Sequence, residues 1–390
     1  MTSKEFERKR KEDKPVIAIC YDFDRTLSPD DMQAQGFIQS VDCDVEEFWK
    51  DSNGLAADND MDQNLAYMYQ MIEKSRGKVI LNKDALLRYG ANIKLFNGVD
   101  TWFDRIKEYG HKKGVIIEHY IISSGLKEMI EGTAIAKNGA IEKIYASSFY
   151  YDKDGVAVWP AQVVNFTNKT QFLFRIAKGI LDINDPGVND HFEPEDIRVP
   201  FRNMIYIGDS DTDIPCMRMV SSLGGHSIGV FDANSHNKTK VYKMMKDGRI
   251  KYFAPTDYSE GSELEHIVQV IIDRTVDNEI LESMYYRYKK ECFDFYVRND
   301  EDELKRREAI VAIADSRNFA STHIAIKKLT QYIGKFSEEE MRDLITIAIN
   351  NGQVRYILKD YDVKVFYTAI ISKQTNQSAE SAYLLELING

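Results

Sequence analysis

Cysteines and long apolar runs are both scarce in this sequence, and each shortage excludes a class of protein. Only four cysteines occur among the 390 residues, none in a C-x-x-C spacing, so we expect neither a disulfide framework nor a structural zinc site. No apolar run approaches the ~18 residues of a membrane-spanning helix. The charged N-terminus MTSKEFERKRKEDK lacks the apolar region of a signal peptide. We therefore expect a cytoplasmic protein with no membrane partner.

Positively charged residues are fewer than negatively charged ones, 51 Lys and Arg against 62 Asp and Glu. The formal net charge of -11 argues against a broad electrostatic surface for nucleic acid, and we expect no nucleic-acid partner. A phosphorylated substrate would need positive charge focused at its site, or a bound cation. The hydrophobic fraction of 43% is enough for a sizeable core, and the chain is longer than one ordinary domain.

Apolar segments that suit buried strands alternate with helical patterns from residue 15 to about 274. The predicted strands are VIAICY (16–21), GVIIEHYIIS (114–123), NMIYIG (203–208), HSIGVF (226–231) and IKYFAP (250–255). Aromatic segments on either side of Asp154-Gly155 predict a hairpin. In GVDTWFDRIKEYG the helical spacing places Gly110 as a C-cap. The alternation predicts an α/β fold with a doubly wound parallel sheet.

Polar clusters close three of these strands. Asp22 and Asp24 follow the first strand, Ser123 ends the second, and GDSDTD (208–213) closes the third. Ligands of doubly wound sheets bind at the carboxyl ends of the strands, so we expect the clusters to meet at one edge. Taken singly, each pattern has a plainer interpretation: a helix-capping loop, an ordinary turn, or a calcium-like acidic loop. The lysine of NKTQF would in isolation be a solvated side chain.

The order of these motifs resembles the haloacid dehalogenase-like (HAD) phosphohydrolase superfamily, and within it the phosphoserine-phosphatase-like branch. The matching pieces are YDFDRTL, IISSG, NKTQF and IYIGDSDTDIP, and the resemblance covers residues 15 to about 270. It implies a phosphoric monoester hydrolase with a Rossmannoid core. Dehalogenase-type members lack the second aspartate, so the presence of Asp24 favours phosphate chemistry over carbon–halogen chemistry.

The resemblance also implies catalytic roles. Asp22 would be the nucleophile that forms an aspartyl-phosphate, splitting one hard displacement into two easier ones. Asp24 would protonate the leaving oxygen and then activate water. Lys169 would hold Asp22 and offset the crowded negative charge. Ser123 would donate a hydrogen bond to the phosphoryl group.

Phosphate and metal ligands follow from the same resemblance. The backbone N–H groups of Ser124 and Gly125 would bind phosphate at the start of the next helix. Mg²⁺ is the expected cofactor, because carboxylate oxygens suit a hard cation. Its ligands would be Asp22, the Asp24 backbone carbonyl and Asp209. For Asp213 two roles stay open, a further ligand or a residue that orients the others.

The spacing of the motifs predicts the domain organisation. Asp22 and Ser123 are 101 positions apart, which resembles the helical cap that many relatives carry there. We predict a charged tail (1–14), an α/β core (15–29 and 96–275), a cap (30–95) and a helical C-terminal domain (276–390). Cap aromatics should mostly pack in the core, with at most one or two in contact with substrate. Arg25 is expected to be a solvated loop residue, with contact to the substrate as the alternative.

Three functions are consistent with these residues. The favoured one is a Mg²⁺-dependent phosphatase acting on a small phosphorylated metabolite. A phosphotransferase or mutase would pass the same aspartyl-phosphate to another acceptor. A HAD-like scaffold would instead bind a partner protein, or a second copy of itself, through residues 276–390.

Overall fold

The structure is a computed structural model that describes residues 6–235, 237–298, 301–375 and 377–390. The chain divides into two units, Met1–Ser283 and Met284–Gly390. The first is built around a sheet, and the described residues of the second form helices and their connections. Within the described ranges, no helix is both long enough and apolar enough to cross a membrane.

A mostly parallel sheet forms the centre of the first unit. In the described residues it has seven strands in the order β4-β3-β2-β1-β5-β6-β7. Neighbouring strands are parallel except β3 and β4, which form the predicted hairpin. The strands are β1 (Val16–Tyr21), β2 (Ile116–Leu126), β3 (Lys143–Tyr151), β4 (Ala157–Gln162), β5 (Met204–Gly208), β6 (His226–Phe231) and β7 (Tyr252–Pro255).

Helices connect the strands and make up the second unit. They are α1 (Phe37–Ser40), α2 (Val45–Asp58), α3 (Gln63–Ser75), α4 (Lys83–Ala91), α5 (Val99–Lys112), α6 (Lys127–Gly132), α7 (Ala134–Lys137), α8 (Thr170–Lys178), α9 (Ile214–Ser222), α10 (Thr239–Lys246), α11 (Glu263–Arg298), α12 (Glu301–Ala314), α13 (Phe319–Thr330), α14 (Glu338–Asn350), α15 (Gly352–Tyr356), α16 (Tyr361–Lys373) and α17 (Ala379–Asn389). Short 3-10 helices cover Met32–Ala34, Pro186–Asn189, Pro194–Asp196, Phe201–Asn203 and Asp211–Asp213. The predicted cap segment contains α1 to α4.

The burial of β1 shows why helices cover both faces of the sheet. All six of its residues are buried. Because side chains alternate along a strand, Ile19 and Tyr21 pack in the apolar core on one face, and Ala18 and Cys20 pack in the core on the other. A parallel sheet needs both faces covered. The predicted doubly wound α/β fold is confirmed.

The second unit has an apolar core of its own, formed by side chains of α12 to α17 and their connections. Helix α14 begins with the predicted capping box. The Glu340 N–H donates to Ser337 Oγ at 3.1 Å, and the Ser337 N–H donates to Glu340 Oε2 at 2.8 Å. The prediction of a helical C-terminal region is confirmed.

Gly110 does not cap its helix, contrary to the prediction. Helix α5 continues to Lys112, and Gly114, with φ at +79°, follows its C-cap. A Cβ atom at Gly110 would lie 2.3 Å from Ile117 Cγ1. Glycine is therefore needed at position 110 for the close packing of α5 on β2.

A buried ion pair links β2 to the segment before β5. Glu118 is 6% exposed and accepts hydrogen bonds from Arg198 Nη1 and Nη2 at 2.8 and 2.7 Å. Burial alone would raise the pKa of Glu118. Hydrogen bonds from Arg198, Lys9 and Tyr120 outweigh that effect and lower the pKa to about 2.

Replacing Glu118 by Gln is expected to lower the free energy of unfolding at pH 7 by about 3 kcal/mol, because the buried Arg198 loses one of its two anionic partners and keeps only the less buried Glu12. A lowered pKa gives stabilisation that is complete above about pH 4.5 and is lost as the pH falls toward 2. In urea unfolding, the gap between variant and wild type should therefore narrow from pH 7 to pH 3. Glu142→Gln is the control, since the Lys9–Glu142 pair is about one-third exposed and should contribute ~1 kcal/mol or less. Equal losses in the two variants would contradict this prediction.

Candidate active site

The carboxyl ends of β1, β2 and β5 bring the motif residues together. Strand β1 lies between β2 and β5 in the sheet. Asp22 follows β1, and its N–H donates to the Ile207 carbonyl of β5 at 3.0 Å. Asp209 follows β5, and Ser123 lies near the end of β2. The three clusters meet at one edge of the sheet, as the strand pattern predicts.

Lys169 is fully buried and contacts two of the carboxylates. Its Nζ lies 3.1 Å from Asp22 Oδ1 and 2.8 Å from Asp213 Oδ1. Burial alone would lower the pKa of Lys169, but attraction to Asp213 and Asp22 outweighs it and raises the pKa. The lysine therefore stays protonated at neutral pH and offsets negative charge beside Asp22.

Three carboxylates form a tight acidic cluster. Asp22, Asp209 and Asp213 each place one oxygen within 4.8 Å of the others. Burial and repulsion from Asp213 raise the pKa of Asp22 to about 7, against the attraction of Lys169. Burial raises the pKa of Asp209 to about 6, although Lys240 lies 3.3 Å away and opposes the rise. Such crowding favours a bound cation, and an all-oxygen donor set suits Mg²⁺.

The contacts of Asp213 set it apart from the other two. Its Oδ1 accepts hydrogen bonds from Lys169 and from the Tyr206 hydroxyl at 2.9 Å. Its Oδ2 accepts from the Ser210 N–H at 3.2 Å and from Ser210 Oγ at 2.8 Å. Both oxygens therefore have protein donors. Of the two roles left open by the sequence, these contacts favour the second, an orienting residue, and the group that Asp213 contacts is Lys169.

Asp24 lines a cavity beside the acidic cluster. Its Oδ1 accepts a hydrogen bond from the Met32 N–H at 2.9 Å. Burial, and then repulsion from Asp31 and Asp22, raise the pKa of Asp24 well above its usual range.

Arg25, next along the chain, has a left-handed φ of 57° and places Nη2 3.1 Å from Asp31 Oδ2. Its side chain is 59% exposed, in keeping with the solvated residue expected, although it also lines the cavity.

The backbone after Ser123 differs from the prediction. Strand β2 (Ile116–Leu126) runs past Ser123, and α6 begins only at Lys127. Ser124 and Gly125 therefore lie in the end of the strand, and the prediction of a helix N-terminus there was wrong. The pairing of β2 with β3 shifts register in this stretch. Here the Gly125 N–H donates to Ser123 Oγ at 3.0 Å, a local contact that strand or helix periodicity does not reveal.

A cavity of about 310 Å³ opens above the acidic cluster. Helices α2 and α3 of the predicted cap segment contribute Trp49, Asn53, Gln63, Asn64 and Tyr67 to its wall. Trp49 and Tyr67 are the two cap aromatics that line it, whereas Phe48 is fully buried. The Tyr67 hydroxyl donates to the Ser124 carbonyl at 2.8 Å and so fixes α3 to β2.

Sequence reasoning missed several residues of this cavity. Lys240 of α10 contacts Asp209, and Asp31 contacts Arg25. Gln63 and Asn64 line the cap wall. None of these belongs to a motif, so no local pattern signals them. Only the aromatic density of α2 and α3 pointed toward this wall.

Comparison with known proteins identifies similar sequences and folds. A sequence model described as haloacid dehalogenase-like hydrolase matches residues 19–218. An uncharacterized protein from Borreliella burgdorferi strain B31 is 28% identical over 272 residues, covering 64% of this chain and 94% of that protein. Two crystal structures are similar in fold. A HAD family hydrolase from Salmonella enterica serovar Typhi is 17% identical, and the match covers 63% of this chain and 69% of that chain with a TM-score of 0.43. A probable phosphoserine phosphatase from Vibrio cholerae is 12% identical, and the match covers 68% of this chain and 67% of that chain with a TM-score of 0.45. The segment matched by the sequence model contains every residue of the predicted site.

Proposed function

Because the chain belongs to the haloacid dehalogenase-like hydrolase family, we propose that it is a Mg²⁺-dependent phosphatase that hydrolyses a small phosphorylated metabolite through an aspartyl-phosphate. The observation that carries this proposal is the buried Asp22 beside the fully buried Lys169, at the floor of a small cavity. A carboxylate can attack a phosphate ester only where the negative charge of the phosphoryl oxygens is offset. Lys169 supplies part of that positive charge.

The first step forms the covalent intermediate. A carboxylate oxygen of Asp22 attacks phosphorus, the bond between phosphorus and the ester oxygen breaks, and Asp24 gives its proton to the departing oxygen. The raised pKa of Asp24 supports this role, since a carboxyl group must be protonated to act as an acid at neutral pH.

The second step releases phosphate. Asp24, now a carboxylate, takes a proton from water as the water oxygen attacks the phosphorus of the aspartyl-phosphate. The bond between phosphorus and the Asp22 oxygen breaks, which restores the Asp22 carboxylate and leaves Asp24 protonated for the next cycle. Lys169 holds Asp22 in place through both steps.

The acidic cluster fits the cofactor implied by the family. Asp22, Asp209 and the Asp24 backbone carbonyl would hold Mg²⁺, while Asp213 would fix Lys169. When bound, Mg²⁺ offsets the charge of the phosphoryl oxygens and lowers the mutual repulsion of the carboxylates.

Asp209→Asn is expected to raise the Mg²⁺ concentration needed for half-maximal hydrolysis of p-nitrophenyl phosphate at least ~10-fold, because a neutral amide is a weaker ligand than a carboxylate. Its matched control is Asp211→Asn, two residues further on, whose side chain is 81% exposed. The control should keep the wild-type Mg²⁺ dependence. Hydrolysis that survives EDTA in the wild type, or equal Mg²⁺ shifts in both variants, would argue against the metal site.

A further inference from the structure

Both cations on the wall of the catalytic cavity are already paired. Among the described residues that line it, the basic ones are Arg25 and Lys240. Arg25 Nη2 lies 3.1 Å from Asp31 Oδ2, and Lys240 Nζ lies 3.3 Å from Asp209 Oδ2. A carboxylate on the leaving group would therefore have to compete with Asp31 for Arg25, or with Asp209 for Lys240. An amine would meet no unassigned carboxylate, because the other lining acids are Asp22 and Asp24 of the catalytic pair.

The cap wall offers neutral hydrogen-bonding groups instead. Trp49 lines the cavity, and its ring packs edge-to-face against Phe48 and Tyr67, with centroids 5.3 and 5.9 Å away. The Trp49 indole N–H is buried and has no acceptor among the described residues. Burying an N–H without an acceptor costs free energy, so a ligand oxygen at this point would be stabilising. The amides of Asn53 and Gln63 line the same wall, and no hydrogen bond joins them to other described side chains.

We propose that the leaving group of the substrate is an uncharged polyol, an inference that rests on the proposed function. Its additional hydroxyl oxygens would accept hydrogen bonds from the Trp49 indole N–H and exchange hydrogen bonds with the amides of Asn53 and Gln63. The phosphate would lie on the acidic cluster and Lys169. The recognition is by neutral donors and acceptors, and charge on the leaving group lowers affinity.

Matched phosphate esters test the role of charge. Glycerol 3-phosphate and 3-phosphoglycerate share a three-carbon skeleton and differ in a hydroxymethyl or a carboxylate group. Phosphoethanolamine carries an amine. The expected kcat/KM is at least ~10-fold higher for glycerol 3-phosphate than for either charged ester, because the charged groups lose hydration without gaining a partner. A preference for 3-phosphoglycerate or phosphoethanolamine would overturn the inference.

Trp49→Phe tests the proposed donor, because it keeps an aromatic ring and removes the N–H. For glycerol 3-phosphate kcat/KM should fall about 10-fold, the loss expected for one hydrogen bond, with most of the change in KM. For p-nitrophenyl phosphate the loss should be smaller, because its leaving group carries no additional hydroxyl oxygen to accept this hydrogen bond. Trp159→Phe, at a side chain 68% exposed on β4, should change neither. Equal losses on both esters would show that Trp49 only packs, and would overturn its role as a donor.

A second variant covers the case in which Trp49→Phe does not fold. Asn53 is exposed on α2, so Asn53→Ala should fold and should raise KM for glycerol 3-phosphate several-fold with kcat retained. An unchanged KM would overturn the proposed contact. Hydrolysis of p-nitrophenyl phosphate that depends on Asp22, together with a preference for charged esters, would refute this inference alone. No hydrolysis of any ester would refute the proposed function as well.

Discussion

The Asp22→Asn variant is expected to lose turnover of p-nitrophenyl phosphate by on the order of 10⁴-fold or more, and yet to melt no lower than the wild type at pH 8. The loss follows from the proposed nucleophile, because an amide cannot form the acyl-phosphate and the uncatalysed reaction is very slow. Activity that survives the substitution would refute the covalent mechanism.

The expected stability of this variant follows from the electrostatics of the cluster. Burial and the neighbouring Asp213 raise the pKa of Asp22 from an ordinary value of 3.8 to about 7. Between these values the folded protein holds a proton that the unfolded chain releases, so the free energy of unfolding falls as the pH rises from about 4 to 7. Above pH 7 the full cost of the charged Asp22 is present. Asparagine carries no charge, and Lys169 keeps Asp213 as its partner at 2.8 Å.

Melting curves in EDTA at pH 5 and pH 8 would measure this effect. The melting temperature of Asp22→Asn relative to the wild type should be higher at pH 8 than at pH 5. Asp154→Asn, at an exposed position in the hairpin, is the control and should show no such change. A variant that melts well below the wild type at pH 8 would contradict this prediction. It would mean that the Asp22–Lys169 pair stabilises the folded protein by more than the burial of Asp22 and its repulsion from Asp213 destabilise it.

The sequence supported the core of the site because the relevant signals are local. Strand β1 coincides with the predicted segment, since six consecutive apolar residues suit a strand buried on both faces. Once parallel strands are assigned, the positions of Asp22, Ser123 and Asp209 follow from the strand ends. Lys169 is different: it lies at the start of α8, and only its resemblance to a family motif pointed to the site.

The remaining features depend on contacts between segments that are distant along the chain. The pairing of Lys240 with Asp209 and the hydrogen bond from Tyr67 to the Ser124 carbonyl join separate elements, so no short pattern encodes them. The extension of β2 past Ser123 was mispredicted because the small polar residues there are also typical of a turn. Gly110 was mispredicted for a similar reason: a glycine that allows close packing looks, in sequence, like a helix cap.

The Asp24→Asn variant should separate the two chemical steps. Nitrophenolate leaves without prior protonation more readily than an alkoxide, so Asp22 can still be phosphorylated by an aryl phosphate when the acid is absent. The second step still requires a base that takes a proton from the attacking water, and asparagine cannot act as that base. We expect a rapid burst of about one equivalent of nitrophenolate per protein, followed by a steady state roughly 10²- to 10⁴-fold slower than that of the wild type.

Rapid-mixing absorbance measurements would show the burst, and acid quenching followed by mass spectrometry would locate the phosphoryl group on the peptide that contains Asp22. Glycerol 3-phosphate should give no burst, because its alkoxide leaving group needs the proton that Asp24 supplies. The contrast between the two esters therefore tests the acid role and the base role of one residue separately. A burst from both esters would show that Asp24 is not the acid. Steady-state turnover at the wild-type rate would show that it is not the base. A burst that a nucleophilic alcohol discharges faster than water does would instead favour phosphotransfer, since the same intermediate would then have a preferred acceptor other than water.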